Sequence, residues 1–184
     1  MSDILDYFNA CYGDTTGVLH ISVGERPYLC NGRYKFTWFV PSHFTYPDEA
    51  DRAAREIQRE ATFHDVYVCP YLMWADKRAK GAAVAHKLIH ADVDGALLDA
   101  EKVRAIGGFA VGSGTPGNGH AYVPLSESVI APAHRALCRG LGAHLGAIDS
   151  KITDNDLLRP PGTFNYKPTL DGRDPAPVEW LVGP

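Results

Sequence analysis

Apolar and polar residues recur along the first half of the chain with two different periods, which predict its helices and strands. Apolar side chains three or four positions apart predict helices over 3–12 and from about 47 to 63. The apolar stripe of the second helix comprises Ala50, Ala53, Ala54, Ile57 and Ala61. Runs rich in β-branched and aromatic residues predict strands over 18–23 and 34–40, and the connecting stretch GERPYLCNGR carries turn residues.

The second half mixes short strands with two further helices. The predicted strands are 65–73, which Pro70 makes an edge strand or cuts short, then 84–94, 107–112, 120–125, 163–167 and 178–182. Helices are predicted over 97–105 and about 127–146. The residues predicted to form the buried side of the longer helix are Ile130, Ala133, Leu137, Leu141 and Leu145. Because helices and strands alternate irregularly, the predicted fold class is α+β rather than a regular doubly wound sheet.

The composition is that of an ordinary globular protein, with 45% hydrophobic and 22% charged residues in 184. No segment is apolar for long enough to cross a bilayer, and the N-terminus lacks the basic region of a secretory signal, so we expect a cytoplasmic protein. The four cysteines show no CxxC spacing, which favours reduced, buried thiols. A structural zinc assembled from distant Cys and His residues stays open.

The net charge of −4 disfavours a broad surface that coats nucleic acid, but allows a local basic groove. A stretch without acidic residues carries Lys77, Arg78, Lys80 and Lys87. By itself this stretch is interpreted as a solvated loop.

The stretch LIHADVDG, residues 88–95, places two carboxylates at the end of an apolar run. Side chains at positions i and i+2 of a strand share a face, so Asp92 and Asp94 are predicted to project together while Val93 packs on the other side. Neighbouring carboxylates repel each other unless a cation lies between them, and Mg²⁺ and Mn²⁺ prefer oxygen ligands. By itself the pattern is common, and Asp94 with Gly95 also suits a simple turn.

The Gly-rich segment SGTPGNGH, residues 113–120, joins two predicted strands. The backbone N–H groups of such a loop can surround an anion, and His120 can donate to a phosphate oxygen. A flexible hairpin with a surface histidine is the alternative.

The segment IDSKITDNDLLRPPGTFNYK, residues 148–167, adds a carboxylate and two cations. Asp149 follows the long helix, and Arg159 and Lys167 lie around a rigid Pro-Pro-Gly turn, which suits phosphate binding. Asp154 and Asp156 are interpreted as solvent-facing or capping residues, although either could replace Asp149 as a ligand.

The order of these three segments resembles the archaeo-eukaryotic primase superfamily, above all the primase-polymerase domains of phage and plasmid replication proteins. The residues that match its motifs are 89–94 for hhDhD, Ser113-Gly114 and Gly119-His120 for the Ser-x-His motif, and Ile148-Asp149 for hD, with Arg159-Pro160-Pro161-Gly162-Thr163 behind it. The resemblance covers residues 84–167, and the Gly loop is slightly longer than the family's compact form.

The resemblance implies a DNA primase and polymerase that works with two Mg²⁺ or Mn²⁺ ions. The carboxylates implied as metal ligands and catalytic residues are Asp92, Asp94 and Asp149. The residues implied in nucleotide binding are Ser113, Gly114, Gly119, His120, Arg159, Asn165 and Lys167. The residues expected to contact the template are Lys77, Arg78, Lys80 and Lys87.

The resemblance also implies an architecture and partners. An N-terminal αβ unit, residues 1–80, would pack on a catalytic unit of RRM-like topology, residues 81–184, in one compact module of a longer replication protein. The implied partners are a single-stranded DNA template, NTPs or dNTPs, and a helicase domain in the same full-length protein. The implied compartment is the cytoplasm of a bacterium or a phage-infected host.

Two other functions remain open. A glycosyltransferase that uses a metal-bound nucleotide sugar would explain the two neighbouring aspartates, but gives the Arg-Pro-Pro-Gly-Thr segment no role. A non-enzymatic DNA-binding module of a replication initiator would bind DNA without divalent metal, and the net charge and the carboxylates count against it.

Overall fold

A computed structural model describes residues 2–147 and 152–184 and confirms the α+β class. The helices are α1 (Ser2–Tyr12), α2 (Ala50–Ala61), α3 (Ala100–Ala105) and α4 (Ala131–Leu145), with a 3₁₀ helix at Lys167–Asp171. The strands are β1 (Gly17–Cys30), β2 (Arg33–Tyr46), β3 (Asp65–Val68), β4 (Leu88–Val93), β5 (Phe109–Gly112), β6 (Gly119–Pro124), β7 (Thr163–Asn165), β8 (Ala176–Val178) and β9 (Trp180–Val182). None of the helices in the described ranges combines the length and the apolar character needed to cross a bilayer.

Strands β1 and β2 form a hairpin that is much longer than the sequence predicted. Their pairing runs from Gly17 opposite Tyr46 to Cys30 opposite Arg33. Only Asn31 and Gly32 form the loop, with φ values of 51° and 72°. These are the positive φ angles of a two-residue type I′ turn, for which Asn-Gly is the favoured sequence. The two predicted strands were therefore too short, and the turn within the connecting stretch is confined to Asn31 and Gly32. Strand β3 pairs antiparallel with β1 on the other side.

A second, four-stranded antiparallel sheet has the order β4-β6-β5-β9. Successive side chains of a strand point to opposite faces. Ala91 and Val93 of β4 therefore share a face with Ala121 of β6, and this face packs against α3 and α4 in one apolar cluster. The helices cover this side of the sheet, so the site must lie on the other face or at an edge.

The opposite face changes from apolar to polar along its length. Leu88, Phe109 and Tyr122 belong to a large core that also contains α1, α2 and the three-stranded sheet. Farther along the same face, alternation brings Asp92 and His120 to directly paired positions on β4 and β6. Residues on both sides of the predicted boundary at 80 share this core, and the boundary stays a prediction.

The buried faces of α2 and α4 can be compared with the faces predicted from the sequence. In α2 the predicted stripe is confirmed, because Ala53, Ala54, Ile57 and Ala61 are buried. In α4 the prediction was wrong in part. Ile130 is 73% and Leu137 42% exposed, and the buried face instead includes His134 and Cys138. The apolar residues alone indicated a face that is rotated from the real one.

A buried carboxylate attaches the C-terminal segment to the first sheet. Asp65 is fully buried at the start of β3, and its Oδ1 accepts hydrogen bonds from Nε and Nη2 of Arg159, at 2.9 and 2.7 Å. The hydroxyl of Tyr34 donates to its Oδ2 at 2.8 Å, and the backbone N–H of Tyr166 donates to Oδ1 at 3.3 Å. One side chain thus joins the hairpin, β3 and the segment after residue 158.

We predict that Asp65→Ala destabilises the protein by about 3–5 kcal/mol, because it leaves the largely buried Arg159 guanidinium without its counter-charge. Asp171→Ala is the matched control, since the Asp171–Arg173 pair is 63% and 69% exposed and should contribute less than about 1 kcal/mol. Urea unfolding of the two variants measures both values, and equal losses would contradict the role given to Asp65.

Candidate functional site

A cavity of about 300 Å³ brings together residues from the three predicted motifs. The predicted site residues on its wall are Asp92, Asp94, Ser113, His120, Arg159, Asn165 and Lys167. They come from β4, the Gly loop with β6, and the C-terminal segment, which are far apart in the sequence. Asp149 lies outside the described residues, so its place in the site stays a prediction.

The first carboxylate and the loop histidine form a hydrogen-bonded pair across the sheet. Nδ1 of His120 lies 2.9 Å from Oδ1 of Asp92, and both side chains are more than nine-tenths buried. An ionised carboxylate can only accept, so Nδ1 carries the proton. Nε2 of His120 is buried and has no hydrogen-bond partner among the described residues. A buried polar atom without a partner is costly, which suits an atom that meets a ligand.

The Gly loop contacts the second carboxylate directly. Nδ2 of Asn118 donates to Oδ1 of Asp94 at 2.8 Å. The loop is closed by hydrogen bonds from the N–H of Ser113 to the carbonyl of Asn118, at 3.1 Å, and from the N–H of Asn118 to the carbonyl of Thr115, at 3.0 Å. The loop is therefore a tight turn that Asn118 holds against Asp94, and His120 is buried rather than on the surface as in the alternative.

The two predicted loop glycines are required by close approach. A Cβ at Gly119 would lie 2.6 Å from the carbonyl oxygen of Val111 on β5. A Cβ at Gly114, where φ is +75°, would lie 2.7 Å from Cβ of Asn165. Both glycines thus shape the loop, and their predicted contact with nucleotide remains untested.

The C-terminal segment is attached to the loop through an amide side chain. Nδ2 of Asn165 donates to the carbonyl of Ser113 at 3.1 Å and to Oγ1 of Thr115 at 3.3 Å. Its Oδ1 accepts from the backbone N–H of Lys167 at 3.0 Å. Asn165 therefore positions the loop and Lys167, while Arg159, whose Nε and Nη2 bind Asp65, fixes the cavity wall.

The two alternative carboxylate ligands are engaged in other contacts. Asp154 is buried, not solvent-facing as interpreted, and accepts hydrogen bonds from the N–H groups of Gly81 and Ala83 and from His86. Burial raises the pKa of Asp154, but these hydrogen bonds outweigh it and leave the pKa below its usual value. Asp156 accepts from Thr153 and pairs with Nε2 of His90 at 3.2 Å. Neither residue lies among the cavity-lining residues in the described ranges.

The four basic residues predicted to contact template have different surroundings. Lys77 and Lys80 are exposed, and Nη1 of Arg78 donates to the carbonyl of Asn155. Nζ of Lys87 pairs with Asp14 at 3.0 Å. Only Arg78 lies on the wall of a groove beside the cavity.

Sequence reasoning missed three buried groups that contact one another near the site. His90, inside the first motif, lies beside His134 and Cys138 of α4. Burial lowers the pKa of His90, but hydrogen bonds to Asp156 and Cys138 outweigh it and raise the pKa. Burial raises the pKa of Cys138, but hydrogen bonds with the two imidazoles lower it overall. The i, i+4 spacing of His134 and Cys138 was the available signal.

Comparisons of structure identify the fold. The chain is similar to the crystal structure of primase RepB′, with a TM-score of 0.63 and 14% identity over 98% of this chain and 55% of that one. It is equally similar to the AEP domain of the cyanophage S-2L primase-polymerase, with a TM-score of 0.63 and 16% identity over 100% of this chain and 90% of that one. The catalytic domain of RepB′ in complex with initiator DNA gives a TM-score of 0.61, with 16% identity, 98% of this chain and 85% of that one.

The chain therefore has the fold of these primase and primase-polymerase domains, which confirms the predicted fold. It spans about half the length of the first structure named. No protein-family model matches the chain, and no curated protein matches its sequence.

We predict that Gly114→Ala lowers the free energy of unfolding by more than the positive φ angle at this position alone would cost. Gly172→Ala is the matched control, because φ is +72° there and no atom of the described residues lies within 4 Å of the added Cβ. The control should lose about 1–2 kcal/mol of unfolding free energy, which is what an alanine costs in the left-handed backbone conformation. Gly114→Ala should lose more, because its Cβ meets Asn165. Urea unfolding checks this, and equal losses would show that the contact with Asn165 is loose.

Proposed function

We propose that this protein is a metal-dependent nucleotidyltransferase that extends nucleic acid along a DNA template, as primase-polymerases do. One observation carries the proposal: the two aspartates, the loop histidine and Lys167 lie on the wall of one cavity although they come from three distant segments. The similarity in fold to primases and a primase-polymerase supports it.

The donors in the cavity fit hard divalent cations. Asp92 and Asp94 contribute carboxylate oxygens, the ligands that Mg²⁺ and Mn²⁺ prefer, and the hydrogen bonds from His120 and Asn118 each engage one carboxylate oxygen. Asp149 would complete the set. Bound ions would neutralise the phosphates and stabilise the charge that develops at the α-phosphate.

The protein's own groups would bind and orient the triphosphate. Nε2 of His120, a buried atom with no hydrogen-bond partner among the described residues, would meet a phosphate oxygen, donating when the ring is protonated. Lys167 brings a positive charge to the same wall. Asn165, by fixing Ser113 and Thr115, would hold the loop in the conformation that the nucleotide requires.

A groove of about 390 Å³ is the proposed path of the single-stranded template. It shares Tyr67 and Leu157 with the carboxylate cavity, and Phe36, Phe39 and Arg78 also line it. The ring centroids of Phe36 and Phe39 lie 5.8 Å apart, and each lies within about 6 Å of the Tyr67 ring. Aromatic rings beside a cation bind single-stranded nucleic acid through base stacking and phosphate contact.

We predict that Asp92→Asn together with Asp94→Asn reduces nucleotide addition to background, because the neutral amides cannot hold the cations. Nucleotide incorporation on a single-stranded DNA template with Mg²⁺ or Mn²⁺ measures this, once with an annealed primer and once without a primer. Asp174→Asn, at an exposed carboxylate, is the control and should keep the parent's rate. Extension by the double variant near the parent's rate would refute the proposal.

The same preparations distinguish the competing functions. Nucleoside triphosphates should raise the melting temperature in the presence of Mn²⁺, whereas stabilisation by a single sugar nucleotide would favour a glycosyltransferase. DNA binding that is unaffected by divalent metal, without any nucleotide addition, would favour a DNA-binding module.

We predict that Phe39→Ala weakens binding of single-stranded DNA by about 1–3 kcal/mol, the value of one base stacked on an aromatic ring. The salt dependence of binding should not change, because no phosphate contact is removed. Phe63→Ala is the control, since Phe63 is 72% exposed and lies on the chain after α2, outside the groove. Fluorescence anisotropy measures both variants, and equal affinities would exclude the groove as the template path.

A further inference from the structure

A cluster of imidazole and thiol groups lies outside the carboxylate cavity. His90 of β4 and His134 and Cys138 of α4 each offer one ligand atom, and the three atoms lie within 4.8 Å of one another. All three residues are buried. Neither the proposed reaction nor the template path uses them.

The distances within the cluster approach those of a tetrahedral zinc site. With Zn–N bonds of about 2.0–2.1 Å and a Zn–S bond of about 2.3 Å, a nitrogen and a sulfur on one ion lie about 3.5 Å apart. Sγ of Cys138 lies 3.4 Å from Nε2 of His134 and 4.0 Å from Nδ1 of His90. One separation already fits, and the other needs a contraction of about half an ångström.

The neighbouring groups orient the ligands in the way metal sites require. The other ring nitrogen of His90, Nε2, faces the carboxylate of Asp156 at 3.2 Å. A proton held there leaves the lone pair of Nδ1 directed toward the cluster, which is the carboxylate–histidine–metal arrangement. His134 and Cys138 stand four residues apart on α4, so both side chains project from the same face of the helix.

The hydroxyl oxygen of Tyr71 offers a fourth ligand atom. The hydroxyl of Tyr71 lies 2.7 Å from Nδ1 of His90 and 2.8 Å from Nε2 of His134. These are hydrogen-bond distances, shorter than the separation of about 3.3 Å expected between two ligands of one tetrahedral ion. The phenol would move outward slightly when an ion enters. Hydrogen bonds alone can also satisfy the four groups, so the metal content decides between the two states.

We propose that His90, His134 and Cys138, with the Tyr71 oxygen as the fourth donor, form a structural Zn²⁺ site. Nitrogen and sulfur donors select zinc over Mg²⁺ or Mn²⁺, so this site differs in chemistry from the all-oxygen carboxylate site. The ion would link α4 to β4, the strand that carries Asp92 and ends at the residue before Asp94. The proposal does not depend on the proposed function.

The test begins with the metal content of the purified full chain. Mass spectrometry of metals should find one zinc ion per chain, and Co²⁺ added to zinc-stripped protein should give the absorption bands of a tetrahedral thiolate complex. Cys138→Ala should lose the zinc and the sulfur-to-cobalt band. Cys11→Ala, which removes a cysteine buried elsewhere in the core, should keep both.

A second comparison separates this site from the carboxylates. The Asp92→Asn/Asp94→Asn variant should retain its zinc, and a chelator should lower the melting temperature of this variant and of the parent alike. If Cys138→Ala does not fold, the cobalt titration of the parent answers the question alone. A parent that takes up neither Zn²⁺ nor Co²⁺ into a thiolate site, or zinc lost with the aspartates instead of Cys138, would overturn the proposal.

Discussion

The buried Asp65 carboxylate is the constraint on which the arrangement of the site depends. A charge with no exposed surface is stable only when it is paired and hydrogen-bonded, and Arg159 meets that requirement from a segment far along the chain. Because Arg159 is held there, the rigid turn after it brings Asn165 to the Gly loop. Without this pair, the cavity would lack one of its three walls.

The sheet register supplies the rest of the site. Pairing of β4 with β6 places Asp92 opposite His120, and alternation along each strand keeps both on the face that α3 and α4 do not cover. A slip of one residue would turn these side chains toward the helices and expose apolar ones instead. The apolar part of the same face, around Phe109 and Tyr122, therefore stabilises the register that the polar part requires.

Much of this could be predicted from the sequence, but only where the signal is local. The period of two residues in β4 and the stripe of α2 are local patterns, and the structure agrees with both. The glycines of the loop are also a local pattern, but their contact with nucleotide stays a prediction. The hairpin strands were predicted too short. Their distal halves are partly exposed and mix aromatic with polar residues, and this composition is also typical of a loop. In α4 the exposed Leu137 was predicted to be buried, because hydrophobicity alone does not indicate that the polar His134 lies on the buried face. Asp65 was missed because its partner Arg159 is distant in sequence.

Crystals soaked with Mn²⁺ and a non-hydrolysable nucleoside triphosphate test the central claim most directly. Anomalous scattering should place manganese on the carboxylates of Asp92 and Asp94, with a phosphate oxygen within hydrogen-bond distance of Nε2 of His120. Manganese absent from both aspartates, or a triphosphate bound away from His120 in crystals of protein that extends primers, would contradict the account.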